Sequence, residues 1–122
     1  KIYVFNEGSN RISIISPSLR KVVATISVEG PPKRGMQGFS KRLFVANTAA
    51  NTLTFFNSQD VVTRTIPVGI MPTGLAGDEK RNRLYVTNYG DNTVSLLDPI
   101  GERVLKELFV GKSPYGALLL ER

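Results

Sequence analysis

One five-residue word occurs three times in this chain. Ile2–Asn6, Leu43–Asn47 and Leu84–Asn88 each place apolar or aromatic residues ahead of an asparagine. Asn6, Asn47 and Asn88 stand 41 residues apart, and Asn10, Asn51 and Asn92 keep the same interval four residues later. The match continues through Ile12–Ile15, Leu53–Phe56 and Val94–Leu97, then through three β-branched segments, 22–28, 61–68 and 104–110. A turn with proline follows at Pro32, Pro72 and Pro114, and a glycine-led segment closes each unit at Gly35–Phe39, Gly74–Gly77 and Gly116–Leu120. A repeat of this length is a supersecondary unit that cannot bury its own faces and must stack against its neighbours.

Four short alternating segments per unit, separated by Gly, Pro, Asn and Asp, predict an all-β chain built as a β-propeller. No window carries the three-and-four apolar spacing of a helix. The expectation is three four-stranded antiparallel blades of about 41 residues, as units 1–32, 33–73 and 74–122. Small residues suit the glycine-led segment to the crowded axis as inner strand A. The word with asparagine, apolar on both faces, is strand B of a sheet packed on two sides. Arg64, Lys106 and Glu107 mark the outermost strand D, where charge blunts an edge. Closed propellers have four to eight blades. The chain, opening at strand B and closing on strand A at Gly116–Leu120, therefore reads either as a fragment of a larger ring or as half of a six-bladed dimer. In both, the last strand completes another blade.

Composition narrows the chemistry. The chain has no Cys and no His, so it cannot itself supply imidazole or thiolate ligands to zinc or haem, nor a Ser-His-Asp or Cys-His nucleophile. No cofactor and no metal site is expected. No apolar run approaches the ~18–20 residues of a transmembrane helix. The sequence opens at Lys1 without Met or a signal-peptide pattern, which reads as a processed, excised or incompletely recorded start. The net charge of +6 favours anionic partners, though its bases are spread along the chain rather than clustered as in a nucleic-acid footprint.

The stretch Arg83–Asp98, with Tyr85-Val86-Thr87-Asn88 inside it, resembles the YVTN-family β-propeller repeat. Val110–Gly116 and Val68–Gly74 resemble that family's Val-Gly-x-x-Pro-x-Gly connection. The likeness covers nearly the whole chain. Its first unit departs most: Val28–Arg34 lacks the second glycine position, and Gly35–Phe39 reads as a poor inner strand in an irregular blade. The resemblance implies a periplasmic or cell-surface location. It also implies an alternative role, the propeller of a redox or hydrolytic enzyme whose catalytic groups lie outside this chain, whereas the repeat architecture and the lack of His and Cys point to a binding or scaffold module.

Three groups of residues are candidates for function. The paired asparagines flank the B–C turns and read as turn caps, since a feature recurring in every blade is architecture. A basic rim gathers where A–B and C–D turns share a face: Arg20, Lys21, Lys41, Arg42, Lys80, Arg81, Arg83 and Arg103. Its bland reading is a solvated edge; its functional one is an acidic protein, an anionic surface or, less favoured, nucleic acid. The opposite face collects Lys33, Arg34, Met71, Thr73, Tyr89, Lys112, Ser113 and Tyr115 around the channel mouth, where loops on a rigid scaffold carry function. The leading reading is a non-enzymatic module for a protein partner, or for self-association through the open blade faces.

Overall fold

The computed structural model describes residues 1–120, and its chain is three stacked antiparallel sheets. In the first, β1 (Ile2–Asn6), β2 (Arg11–Ser16) and β3 (Lys21–Ser27) pair in that order. The second runs β4 (Arg34–Gly38), β5 (Arg42–Asn47), β6 (Thr52–Phe56) and β7 (Val62–Pro67). The third runs β8 (Pro72–Asp78), β9 (Arg83–Asn88), β10 (Thr93–Asp98) and β11 (Arg103–Phe109). Each sheet is one blade, with its strands laid outward in chain order.

Strand β5 shows why stacking is obligatory. Leu43 and Val45 turn to the first blade, and Phe44 and Ala46 to the third, all at 0–2% exposure. A strand buried on both faces must be apolar at every position. The core accordingly lies between blades. One cluster joins Phe44, Leu53, Phe55 and Ile66 to Leu84, Val86 and Leu97; the other joins Ile12 to Leu43, Val45 and Phe56. The outermost strands β3, β7 and β11 are mostly exposed, as their charges require.

Local devices repeat with the sequence. Asn10, Asn51 and Asn92 adopt left-handed φ of 54°, 59° and 61°, a conformation asparagine tolerates better than most residues. The carbonyl of each accepts the amide that follows its own strand D: Val28, Val68 and Val110. Every pairing of strand C with strand D slips once, at Ile14/Ile15, Phe55/Phe56 and Leu96/Leu97. These bulges turn the outer edge at the same height in each blade.

Three expectations need correcting. The first sheet has three strands, because the chain enters at strand B. The segment read as a poor inner strand, Gly35–Phe39, forms β4 in regular register, Arg34↔Ala46 through Gly38↔Arg42. The irregularity sits in the following turn, where Phe39, Ser40 and Lys41 all have positive φ. Gly116–Leu120, expected as a strand, has no ladder. An inner strand is defined by its pairing with strand B of its own blade, and among the described residues no such strand follows.

Candidate functional site

The loops of the face that carries the B–C turns are held by the asparagines. Asn51 Oδ1 accepts the Met71 amide at 2.8 Å, and Asn92 Oδ1 accepts the Ser113 amide at 2.9 Å. Met71 and Ser113 both take φ of 55°. The first unit has Pro31 at this place, which lacks an amide hydrogen and cannot take positive φ; there Gly30 takes φ +130° instead. Asn47 and Asn88 face inward and donate to Thr52 and Thr54, and to Thr93 and Ser95. Asn51 and Asn92 therefore cap their loops as expected, whereas Asn6, Asn47 and Asn88 bond hydroxyls of the next strand instead of capping a turn.

On that frame, an aromatic and cationic cluster forms. The guanidinium of Arg34 donates to Tyr115 Oη at 2.8 Å and lies 5.2 Å from the Tyr115 ring centre. This hydrogen bond and the positive charge stabilise the phenolate, so the Tyr115 hydroxyl titrates below its ordinary value. Tyr89 meets Tyr115 edge-on, ring centres 6.1 Å apart, a favoured geometry for aromatic pairs. Lys33, Met71, Tyr89 and Tyr115 line a hollow of about 270 Å³, and Arg34 and Tyr115 border a second of about 220 Å³ over Gly35 and Gly74. Gly74 is required: a Cβ there would stand 2.4 Å from the Tyr115 carbonyl oxygen. Thr73 belongs to the framework, since it is 5% exposed and its hydroxyl donates to the Tyr115 carbonyl at 2.9 Å. Lys112 and Ser113 are exposed but line neither hollow.

Two of the eight basic-rim residues, Arg42 and Arg83, are drawn partly off the surface. Arg42 is taken into the joint between blades: Nε donates to the Phe56 carbonyl, Nη1 to the Pro99 carbonyl, and Nη2 to Glu102 at 2.8 Å. Arg81 donates to the carboxylate of Asp78, which is itself 3% exposed; that bond outweighs desolvation and holds Asp78 below the usual carboxylate range. Arg83 is half-buried and donates to the Asn82 carbonyl. Arg20, Lys21, Lys41, Lys80, Arg81 and Arg103 are exposed.

What the sequence reading missed is a corner joint repeated between blades. Lys1 Nζ and Tyr3 Oη both reach Asp60, each at 2.6 Å. One blade on, Arg42 and the Thr63 hydroxyl reach Glu102. Burial raises the Asp60 pKa, but the two donors outweigh it and the carboxyl titrates below its ordinary value. Burial, then the bond to Asp60, pushes Tyr3 from 10.0 up to about 12. The signal was available: Lys1, Arg42 and Arg83 are 41 residues apart. Among the described residues, no group of three Asp or Glu side chains is placed to hold a metal ion, and no helix is long and apolar enough to cross a membrane.

No family model matches the chain, and no curated protein matches it. Solved structures do. Virginiamycin B lyase from Staphylococcus aureus superposes with a TM-score of 0.79 at 12% identity, over 95% of this chain and 41% of that one. AztD from Citrobacter koseri gives 0.78 at 16% identity, over 97% and 35%. BBS1N, solved in complex with ARL6DN, gives 0.71 at 22% identity, over 88% and 34%. The chain spans between 22% and 41% of the length of eight solved chains it resembles. All three named neighbours are β-propellers, and at these identities the likeness shows a fold. The chain is an arc of β-propeller blades.

Proposed function

We propose that this chain is a non-enzymatic binding module of the YVTN-repeat type, and that the loop face around Tyr89 and Tyr115 receives a protein partner of acidic character. The observation that carries the reading is the exposed cluster on a rigid frame. Met71, Tyr89 and Tyr115 are 41%, 39% and 48% exposed beside Lys33 and Arg34. Tyr, Met and Arg are the residues enriched in protein interfaces, and the Arg34–Tyr115 bond orients the ring before any partner arrives. The neighbour BBS1N was solved in complex with ARL6DN, so a propeller with a protein partner has a precedent in kind. A periplasmic or cell-surface setting goes with this proposal, on the repeat resemblance alone. A nucleic-acid partner finds less support, because Arg42 on the opposite face is engaged within the protein and the other bases there are spread along the chain.

The test is site-specific photocrosslinking in extracts of the native source. A benzoylphenylalanine at position 89 is expected to yield one discrete protein adduct whose yield falls as salt rises. The same probe at Ile100, a 76% exposed residue of a turn on the opposite face, yields none. Equal adducts from both positions, or no adduct from position 89, would overturn the reading.

A further inference from the structure

The corner joint specifies what can dock on the open flank of the third blade. Each joint joins the start of strand B in one blade to the C–D turn of the next. Lys1 and Tyr3 clamp Asp60, and Arg42 reaches Glu102. The third blade repeats the giving half. Arg83 and Tyr85 occupy the places of Lys1 and Tyr3, two residues apart on β9 and therefore on one face. Tyr85 lines an apolar hollow of about 290 Å³ on that flank, with Ala76 and Val94. The segment after β11 already lies over it. Thr87 donates to the Tyr115 carbonyl at 2.7 Å, and Ala117–Leu119 complete the hollow. Gly111 points the same way: its counterpart Gly69 packs against Asn88 of the next blade, whereas a Cβ on Gly111 would meet nothing within 4 Å.

We propose that this flank docks a four-stranded blade that uses residues 116–120 as its innermost strand and carries Asp or Glu at its C–D turn, where Arg83 and Tyr85 receive the carboxylate. A second copy of this chain is the wrong partner. Its first blade lacks an inner strand and would accept 116–120 in that position, but its C–D turn carries Arg20 followed by Lys21 where the other blades have Asp60 and Glu102. Arg20 shares their left-handed backbone, φ 54° against 63° and 54°, so the turn presents its side chain from the same place with the opposite charge. Head-to-tail closure of two copies sets Arg20 against Arg83. Like charges facing each other across an interface are strongly unfavourable.

The test converts the wrong partner into the right one. Sedimentation equilibrium and native mass spectrometry on the whole chain compare the natural protein with Arg20→Glu, Arg83→Glu and the double variant. Glu is compatible with the turn, because Glu102 already occupies it at φ 54°. The natural protein is expected to resist self-association. Arg20→Glu tightens head-to-tail association at least about tenfold; Arg83→Glu does so by opposing Glu to Arg20; the double variant, with two carboxylates facing, loses the gain. Circular dichroism confirms that all four remain folded. The proposal fails if the natural protein associates as tightly as Arg20→Glu, if neither single variant associates, or if the double variant associates like the singles.

Discussion

The two joints between blades do the same job with different residues. Between the second and third blades the core is broad: Phe44, Phe55, Ile66, Leu84 and Leu97 are 6% exposed or less, and Phe44 meets Phe39 and Phe55 edge-on at 5.5 and 5.7 Å. Arg42 seals the corner from within, its side chain 20% exposed. Between the first and second blades the enclosed set is smaller, Ile12, Ile14, Leu43, Val45 and Phe56 at 2% exposure or less, and Phe5 and Tyr3 are half-buried. That corner closes with Lys1, 53% exposed, and with a phenol. Where the inner joint has Phe44 instead of Tyr3, the missing hydroxyl comes from Thr63, whose counterparts are Val23 and Leu105. A repeat thus keeps the function of a position, a donor to the corner carboxylate, while moving the atom that performs it to another strand.

The largest separation of the two joints is expected from their aromatic residues. Phe44→Ala removes a fully enclosed ring and costs about 3–5 kcal/mol. Phe5→Ala, half-buried in the other joint, costs about 2 kcal/mol. Urea unfolding of the two variants measures the difference, and equal losses would mean that the joints are energetically alike. Second in size is the corner itself. Arg42→Met strips three hydrogen bonds and leaves Glu102 with only Thr63, a loss of about 2–3 kcal/mol. The counterpart Lys1→Met concerns an exposed ammonium and is expected to cost no more than about 1 kcal/mol. Thermal unfolding at low and high salt separates them, because the exposed pair alone is screened.

The sequence showed the blade readily and the joint poorly, for physical reasons. Strand identity follows from local alternation and turn chemistry, and Asn10, Asn51 and Asn92 revealed the turns because few residues tolerate their backbone. A joint pairs residues from different repeats, such as Arg42 with Glu102, and nothing local announces it. Arg42 therefore looked like one more surface base. The inner strand β4 was misjudged on its composition, Arg34-Gly35-Met36-Gln37-Gly38, although close packing favours it: a Cβ on Gly35 would stand 2.5 Å from the Phe5 ring. At the mouth, Arg34, Tyr89 and Tyr115 were singled out one by one, but their mutual contacts, 81 residues apart in the case of Arg34 and Tyr115, depend on how blades rotate past one another.

The smallest effect is the most specific, and it concerns Tyr3. Its folded pKa is raised from 10.0 to about 12, so the folded state holds the phenol proton more tightly than the unfolded chain does. The stability gained is fully present below pH 10 and is lost as the pH rises towards 12. Asp60 works in the other direction. Its pKa is depressed, so its contribution is present above its unfolded pKa near 4 and is lost as the pH falls through the folded value. Tyr3→Phe should therefore do three things at once. It costs about 0.5–1.5 kcal/mol at neutral pH, removes the loss between pH 10 and 12, and moves the acid loss to higher pH because Asp60 keeps only Lys1. Tyr115 cannot imitate the alkaline change, since its pKa is lowered and its contribution grows as the phenol ionises. Hydrogen exchange read at the β1 and β2 amides across pH localises the effect to the first joint, and a variant whose alkaline profile matches that of the natural protein would assign that loss elsewhere.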